Sequence, residues 1–164
     1  MTEFTTSLTE INHQALIDLV RYWQQLDPAP TVPRRQQFNP VDIPQCLRHI
    51  VLLDVGVGRP RYFVRLAGSS VNPVYQKSIT GEYLENVLNN EDRQKIIAQY
   101  DYSVAHQRPT YMASTTCSPL GRRLNYERVV LPLTTNGDKT DKLLVGINFS
   151  DIKQHLIDRP TFKL

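Results

Sequence analysis

Between Ser7 and Leu26, apolar residues recur at steps of three and four. Leu8, Ile11, Ala15, Leu16, Leu19, Val20, Trp23 and Leu26 therefore share one face of a predicted helix. Ser7 and Glu10 have the capping-box spacing, in which each side chain bonds the other residue's backbone N–H. Pro28, Pro30 and Pro33 stop the helix, because proline lacks an N–H and clashes with the preceding turn. Residues 27–39 then read as an extended connector. Asn39 as N-cap and Pro40 at the first helical position open a second, short helix over Val41 to Arg48.

The pattern then becomes strand-like. Ile50–Val55 and Arg61–Ala67 are rich in β-branched and aromatic residues, and Gly56 to Pro60 turns between them. Gly68 to Tyr75 is polar and broken by Pro73, so it holds at most a short helix, and Tyr83 to Leu88 is another. Asn90 caps a long helix reaching His106, with Glu91 and Asp92 placed favourably at its positive end. Ile96, Ile97, Tyr100 and Val104 give that helix its buried face. Three strands follow, Thr110–Cys117, Leu124–Leu133 and Lys142–Phe149, with Asn136-Gly137 as a hairpin turn between the last two. Asp151 to Ile157 reads as a short closing helix.

Bulk properties narrow the function classes. The chain has 164 residues, 40% hydrophobic and 21% charged, which suits one packed domain. No apolar run approaches the roughly 20 residues needed to span a bilayer, and mean hydropathy is −0.38. Met1 to Leu8 lacks the basic start and apolar core of a secretory signal, so the expected location is cytoplasmic. Net charge is only +3, and the Arg34-Arg35, Arg59/Arg61 and Arg122-Arg123 pairs are scattered among acidic residues. A nucleic-acid interface calls for a denser basic stripe, so none is expected.

The sequence carries no complete catalytic motif. Gly56-Val57-Gly58 follows a strand but leads into another strand, so no helix N-terminus is there to receive a phosphate. Cys46 and His49 have ligand spacing, yet a zinc site needs two more donors and no second pair stands out. Cys46 and Cys117 read as reduced thiols. There is no Gly-x-Ser-x-Gly elbow, and Glu91-Asp92 is a capping pattern. By elimination the residues favour binding over catalysis.

Several stretches together carry a family likeness: Asn39-Pro40-x-Asp42-Ile43-Pro44, Leu52-Leu53-Asp54-Val55, Arg61 to Gly68, Thr80-Gly81, and Glu127 with Leu131-Pro132-Leu133 ahead of Asn136-Gly137. In order and spacing, from about Trp23 to Phe149, they resemble a PAS-like family of small single-domain bacterial proteins, found mainly in alphaproteobacteria. The resemblance implies an α+β fold: a five-stranded antiparallel sheet in the order 2-1-5-4-3, with helices on one face and an added N-terminal amphipathic helix. It divides the chain into an N-terminal helix and connector over 1–38, a PAS-like domain over 39–150, and a C-terminal helix and tail over 151–164. It also implies a stand-alone sensory or regulatory module that binds a small organic ligand or a signalling protein and has no output domain of its own. The flavin-binding motif Asn-Cys-Arg-Phe-Leu-Gln of light-sensing relatives is missing, so a flavin is disfavoured and the cofactor stays unassigned.

In such a fold the ligand pocket lies between the inner sheet face and the helices. Its candidate lining is Ile97, Tyr100, Val104, Met112 and Tyr126, which could equally be core. Arg65 and Glu127 are candidates for a cross-strand ion pair or a ligand anchor. The apolar stripe of the first helix must be covered. Leu16, Leu19, Trp23 and Leu26 meet either a second copy across a two-fold axis, making a homodimeric scaffold, or the chain's own sheet.

Overall fold

The computed structural model describes residues 3–28 and 30–151. Five strands form one antiparallel sheet: β1 (Ile50–Val55), β2 (Tyr62–Ala67), β3 (Thr110–Cys117), β4 (Arg123–Leu133) and β5 (Lys142–Asp151). Their spatial order is β2-β1-β5-β4-β3, as expected. The central β5 pairs with β1 on one side, where Ile50 faces Gly146, and along its whole length with β4 on the other. The expected closing helix, beyond Asp151 at the end of β5, falls outside the described residues.

Side chains alternate between the faces of a strand, and here both faces are buried. The inner face carries Val51, Leu53, Val64, Tyr126, Val130 and Val145. Helices α2 (Asn72–Tyr75), α3 (Leu84–Val87) and α4 (Asn90–His106) lie over it, with Ile96 and Tyr100 of α4 in the shared core. The outer face carries Ile50, Leu52, Val129, Leu131 and Leu144, and helix α1 (Gln14–Gln25) covers it. Helices α2 to α4 cover one face, as expected, and the added N-terminal helix covers the other, so the sheet is the middle of three layers.

That layering settles what covers the α1 stripe. Leu16 and Leu19 have no exposed surface. Both press on the backbone of β5, where a Cβ added to Gly146 would come within 2.6 Å of Leu19 Cδ2 and 2.8 Å of Leu16 Cδ2. Trp23 donates from Nε1 to the Pro132 carbonyl at 3.0 Å, and the half-buried Leu26 closes the last turn with a bond to the Trp23 carbonyl. Leu16 and Leu19 are thus covered by the chain's own sheet, and the helix shares a core with it.

Helix α1 begins at Gln14, not at Ser7. Ser7 Oγ bonds Thr9 Oγ1 instead of capping, and Thr5 exchanges two backbone hydrogen bonds with Tyr111 on β3. The helix start is held by a carboxylate distant in sequence: Glu127 accepts from the backbone N–H groups of Asn12 at 2.7 Å and His13 at 3.0 Å. Residues 40–49 form two 3₁₀ turns, Pro40–Asp42 and Pro44–His49, instead of one α-helix. Pro44 cannot donate into a continuous helix, so the chain breaks there. Asn39 does cap as expected, accepting from Val41 N at 3.2 Å.

The α4 cap is Asn89, one residue earlier than expected, whose Oδ1 accepts from Asp92 N at 2.8 Å. Asn136-Gly137 does not make a two-residue hairpin. The chain leaves β4 at Thr134 and rejoins β5 at Lys142, because Thr134 pairs with the proline connector. Its N–H reaches the Pro33 carbonyl at 2.9 Å and its carbonyl accepts from Arg35 N at 2.8 Å. Only Gly137, at φ +89°, takes the left-handed conformation in this connection.

Candidate functional site

Strand β4 builds the site by alternation. Tyr126, Arg128 and Val130 point to the inner face; Glu127 and Val129 belong to the outer one. Arg128 is thus a charged residue at an inward position of an interior strand, flanked by Met112 on β3 and Ile147 on β5. It is 2% exposed.

Its surroundings are soft and mostly uncharged. The guanidinium carbon lies 5.0 Å from the Tyr126 ring centre and 5.4 Å from that of Tyr100, within cation–π range. Nε donates to Gln99 Oε1 at 2.9 Å and Nη2 to Met112 Sδ at 3.3 Å. Gln99, itself fully buried, donates on to Thr110 Oγ1 at 3.2 Å, and Ser103 Oγ lies 2.7 Å from the same hydroxyl. This chain of polar groups fixes Gln99 and, through it, Arg128. Among the described residues no carboxylate lies within ion-pair distance of Arg128.

Arg128 and Tyr126 border a cavity of about 470 Å³ between the inner sheet face and helices α2, α3 and the first turns of α4. Tyr75, Val87, Ile96, Ile147 and Phe149 supply most of its apolar wall. Tyr75 and Tyr126 both meet the Phe149 ring, at 6.5 and 6.1 Å between centres. Burial pushes the Tyr75 and Tyr100 phenols above their ordinary range, as expected where a phenolate would lose its hydration.

The polar edge of the cavity is Asn89, Glu91, Asp92 and Thr116. Burial opposes ionisation of Asp92, but hydrogen bonds from Thr116 and Asn89 and the Lys95 ammonium at 3.4 Å outweigh it. Its carboxyl is held below the usual range, so Asp92 is an ionised group already committed to its neighbours.

The expected lining residues divide. Tyr126 borders the cavity. Tyr100 and Met112 lie behind the wall, against the Arg128 guanidinium. Ile97 borders a separate groove with Arg59, Glu85 and Asp101, and Val104 a third depression beside Val55 and Gly56. Arg65 and Glu127 do not pair. Arg65 is the extra residue of a β-bulge, since Leu52 faces Leu66 while Leu53 faces Val64, and it pairs across the strands with Asp54. Glu127 lies on β4, separated from β2 by β1 and β5, where Tyr111 Oη joins Asn12 and His13 in donating to it, at 2.7 Å.

The residues that sequence reasoning passed over are Arg128, Tyr75, Phe149, Asp92 and Thr116. For Arg128 a signal was present: if Tyr126 points inward, so does residue 128. Elsewhere, Cys46 Sγ donates to the Ala15 carbonyl at 3.2 Å, and burial pushes its thiol up to about 11. The His49 ring packs edge-on against His13 at 4.8 Å. Among the described residues no three His, Cys, Asp or Glu side chains gather as a metal site, and no helix is long and apolar enough to cross a membrane.

Residues 11–148 match the family described as PAS domain. Among solved structures, the chain is similar to an RNA-binding light-oxygen-voltage receptor, at 12% identity and a TM-score of 0.47. The match covers 76% of this chain and 36% of the receptor, so the chain spans little more than a third of that protein's length. No curated protein matches.

Proposed function

We propose that this chain, which belongs to the PAS domain family, is a sensory or regulatory module that takes a small organic ligand into its inner cavity. Occupancy is then passed on through contacts with a partner protein. The observation that carries the reading is the cavity itself: about 470 Å³, walled by aromatic and aliphatic side chains, with a few polar groups at one edge. That size and composition are those of small-molecule sites, commonly 300–1,000 Å³ and apolar with a few orienting polar groups.

A well-packed core leaves few voids larger than a water molecule. Here the neighbouring inner-face residues Leu53, Tyr62, Val64 and Leu143 are all closed off from solvent. The space beside Tyr126 and Arg128 therefore contrasts with the rest of the same layer.

Native mass spectrometry of the purified full chain tests this directly. A retained small molecule, or stabilisation of the chain by members of a metabolite library, is expected. Val87→Trp, which fills the cavity from α3, should abolish either signal while leaving the chain folded. A bare chain mass together with no stabilising compound would sink the ligand reading.

A further inference from the structure

We infer that the cavity is built for an organic monocarboxylate, with the carboxylate held by Arg128 and the apolar body lying between Tyr75, Ile147 and Phe149. The inference rests on the ligand-cavity reading above and deepens it.

Guanidinium groups stay charged inside proteins and carry five N–H donors in a planar fork. At Arg128 the recorded partners take two of them: one goes to Gln99, the other to a thioether sulfur, a weak acceptor. Gln99 is neutral, and the two tyrosine faces offer only their quadrupoles. A buried cation is costly unless it is paired. This one is 2% exposed, borders a cavity large enough for a ligand, and has no carboxylate partner among the described residues. An anion entering the cavity supplies the missing charge and acceptors together. A carboxylate matches the fork bidentately.

The other charged groups around the cavity orient the ligand. Asp92 is occupied by Thr116, Asn89 and Lys95, and Glu91 is exposed in the first turn of α4. Both disfavour a second negative charge at the α4 end, so the head group belongs at Arg128. The walls between are apolar, and a doubly charged phosphate would be stripped of water there with only one cation to compensate it. A single carboxylate on an apolar or aromatic body fits both constraints.

Calorimetric titration of the full chain provides the test. The probes are straight-chain acids from butyrate to decanoate and phenyl-substituted acids, each beside its own primary amide. At least one acid should bind about tenfold or more tightly than its amide, the discrimination expected of a buried charged hydrogen-bond partner. Arg128→Gln should reduce that preference to about threefold or less, and Arg128→Lys should keep part of it. If acids and amides bind alike to the unmutated chain, the carboxylate inference is overturned while the cavity remains a ligand site. If no acid binds, the inference is likewise overturned, and the mass of the purified chain decides separately whether the cavity holds a neutral ligand. The acid-to-amide comparison needs no variant, so it stands even where Arg128→Gln does not fold.

Discussion

Truncating Leu19 to alanine separates a helix that belongs to the core from one that waits for a partner. Leu19 is fully buried and its Cδ2 would lie 2.6 Å from a Cβ on Gly146, so α1 rests on bare backbone at the centre of β5. Leu→Ala at such a site removes the transfer energy of the lost carbons and leaves a cavity, about 3 kcal/mol within a range of 2.7–5.0. For a domain of this size that is about 6–12 °C of melting temperature, at about 2–4 °C per kcal/mol. Urea unfolding followed by circular dichroism measures the loss, and sedimentation velocity on the same samples follows oligomeric state.

The close approach also predicts coupling. Gly146→Ala alone should cost about 1–3 kcal/mol, because the new methyl meets both Leu16 and Leu19. In the Leu19→Ala background half of that obstruction is gone, so the double variant should be more stable than the sum of the singles by about 0.5–3 kcal/mol. Two results would refute the reasoning. One is a Leu19→Ala chain that loses less than about 1 kcal/mol but changes its sedimentation. The other is strict additivity with Gly146→Ala.

A Cβ at Gly68 would overlap the backbone carbonyl oxygens of Leu47 and Arg48, which cannot move aside, so Gly68→Ala should destabilise by at least about 1–3 kcal/mol in the same unfolding assay. Glu127→Ala removes the acceptor for two backbone N–H groups at the start of α1 and for the Tyr111 hydroxyl; about 1–3 kcal/mol should be lost. Amide exchange should rise first at residues 12–17, and unchanged exchange there would contradict the capping role. Burial, then the nearby His13 and Arg48, lower the His49 pKa below 6.5, outweighing a hydrogen bond to Ile147. The unfolded chain therefore takes up this proton more readily than the folded one. That contribution to stability is complete above pH 6.5 and falls as the pH drops through that value; His49→Gln should flatten the unfolding free energy between pH 7 and 5.

The limits of β1 and β3 are legible in the sequence because local composition and local turns agree at Ile50–Val55 and Thr110–Cys117. The strand order is reached through the family resemblance, since no periodicity says which strands become neighbours. The α1 start was illegible for a physical reason: a good capping box at Ser7 lost to Glu127, more than a hundred residues away, and to the pairing of Thr5 with β3. Asn136-Gly137 failed similarly, when a local turn preference met the proline connector. Arg65 and Glu127 read as anchors in the sequence because both carry charge within strands. The bulged Arg65 is taken by Asp54, parity turns Glu127 away from the cavity, and the same parity identifies Arg128.

Strand β4 is a party wall between two rooms. Arg128 furnishes the cavity on one side; Glu127, one peptide bond away, holds the threshold of α1 on the other. Consecutive residues of a strand point to opposite faces across one planar peptide, so a single stretch of β4 backbone positions both groups. Any shift of that backbone would therefore move Arg128 relative to the cavity and Glu127 relative to Asn12, His13 and Tyr111 together.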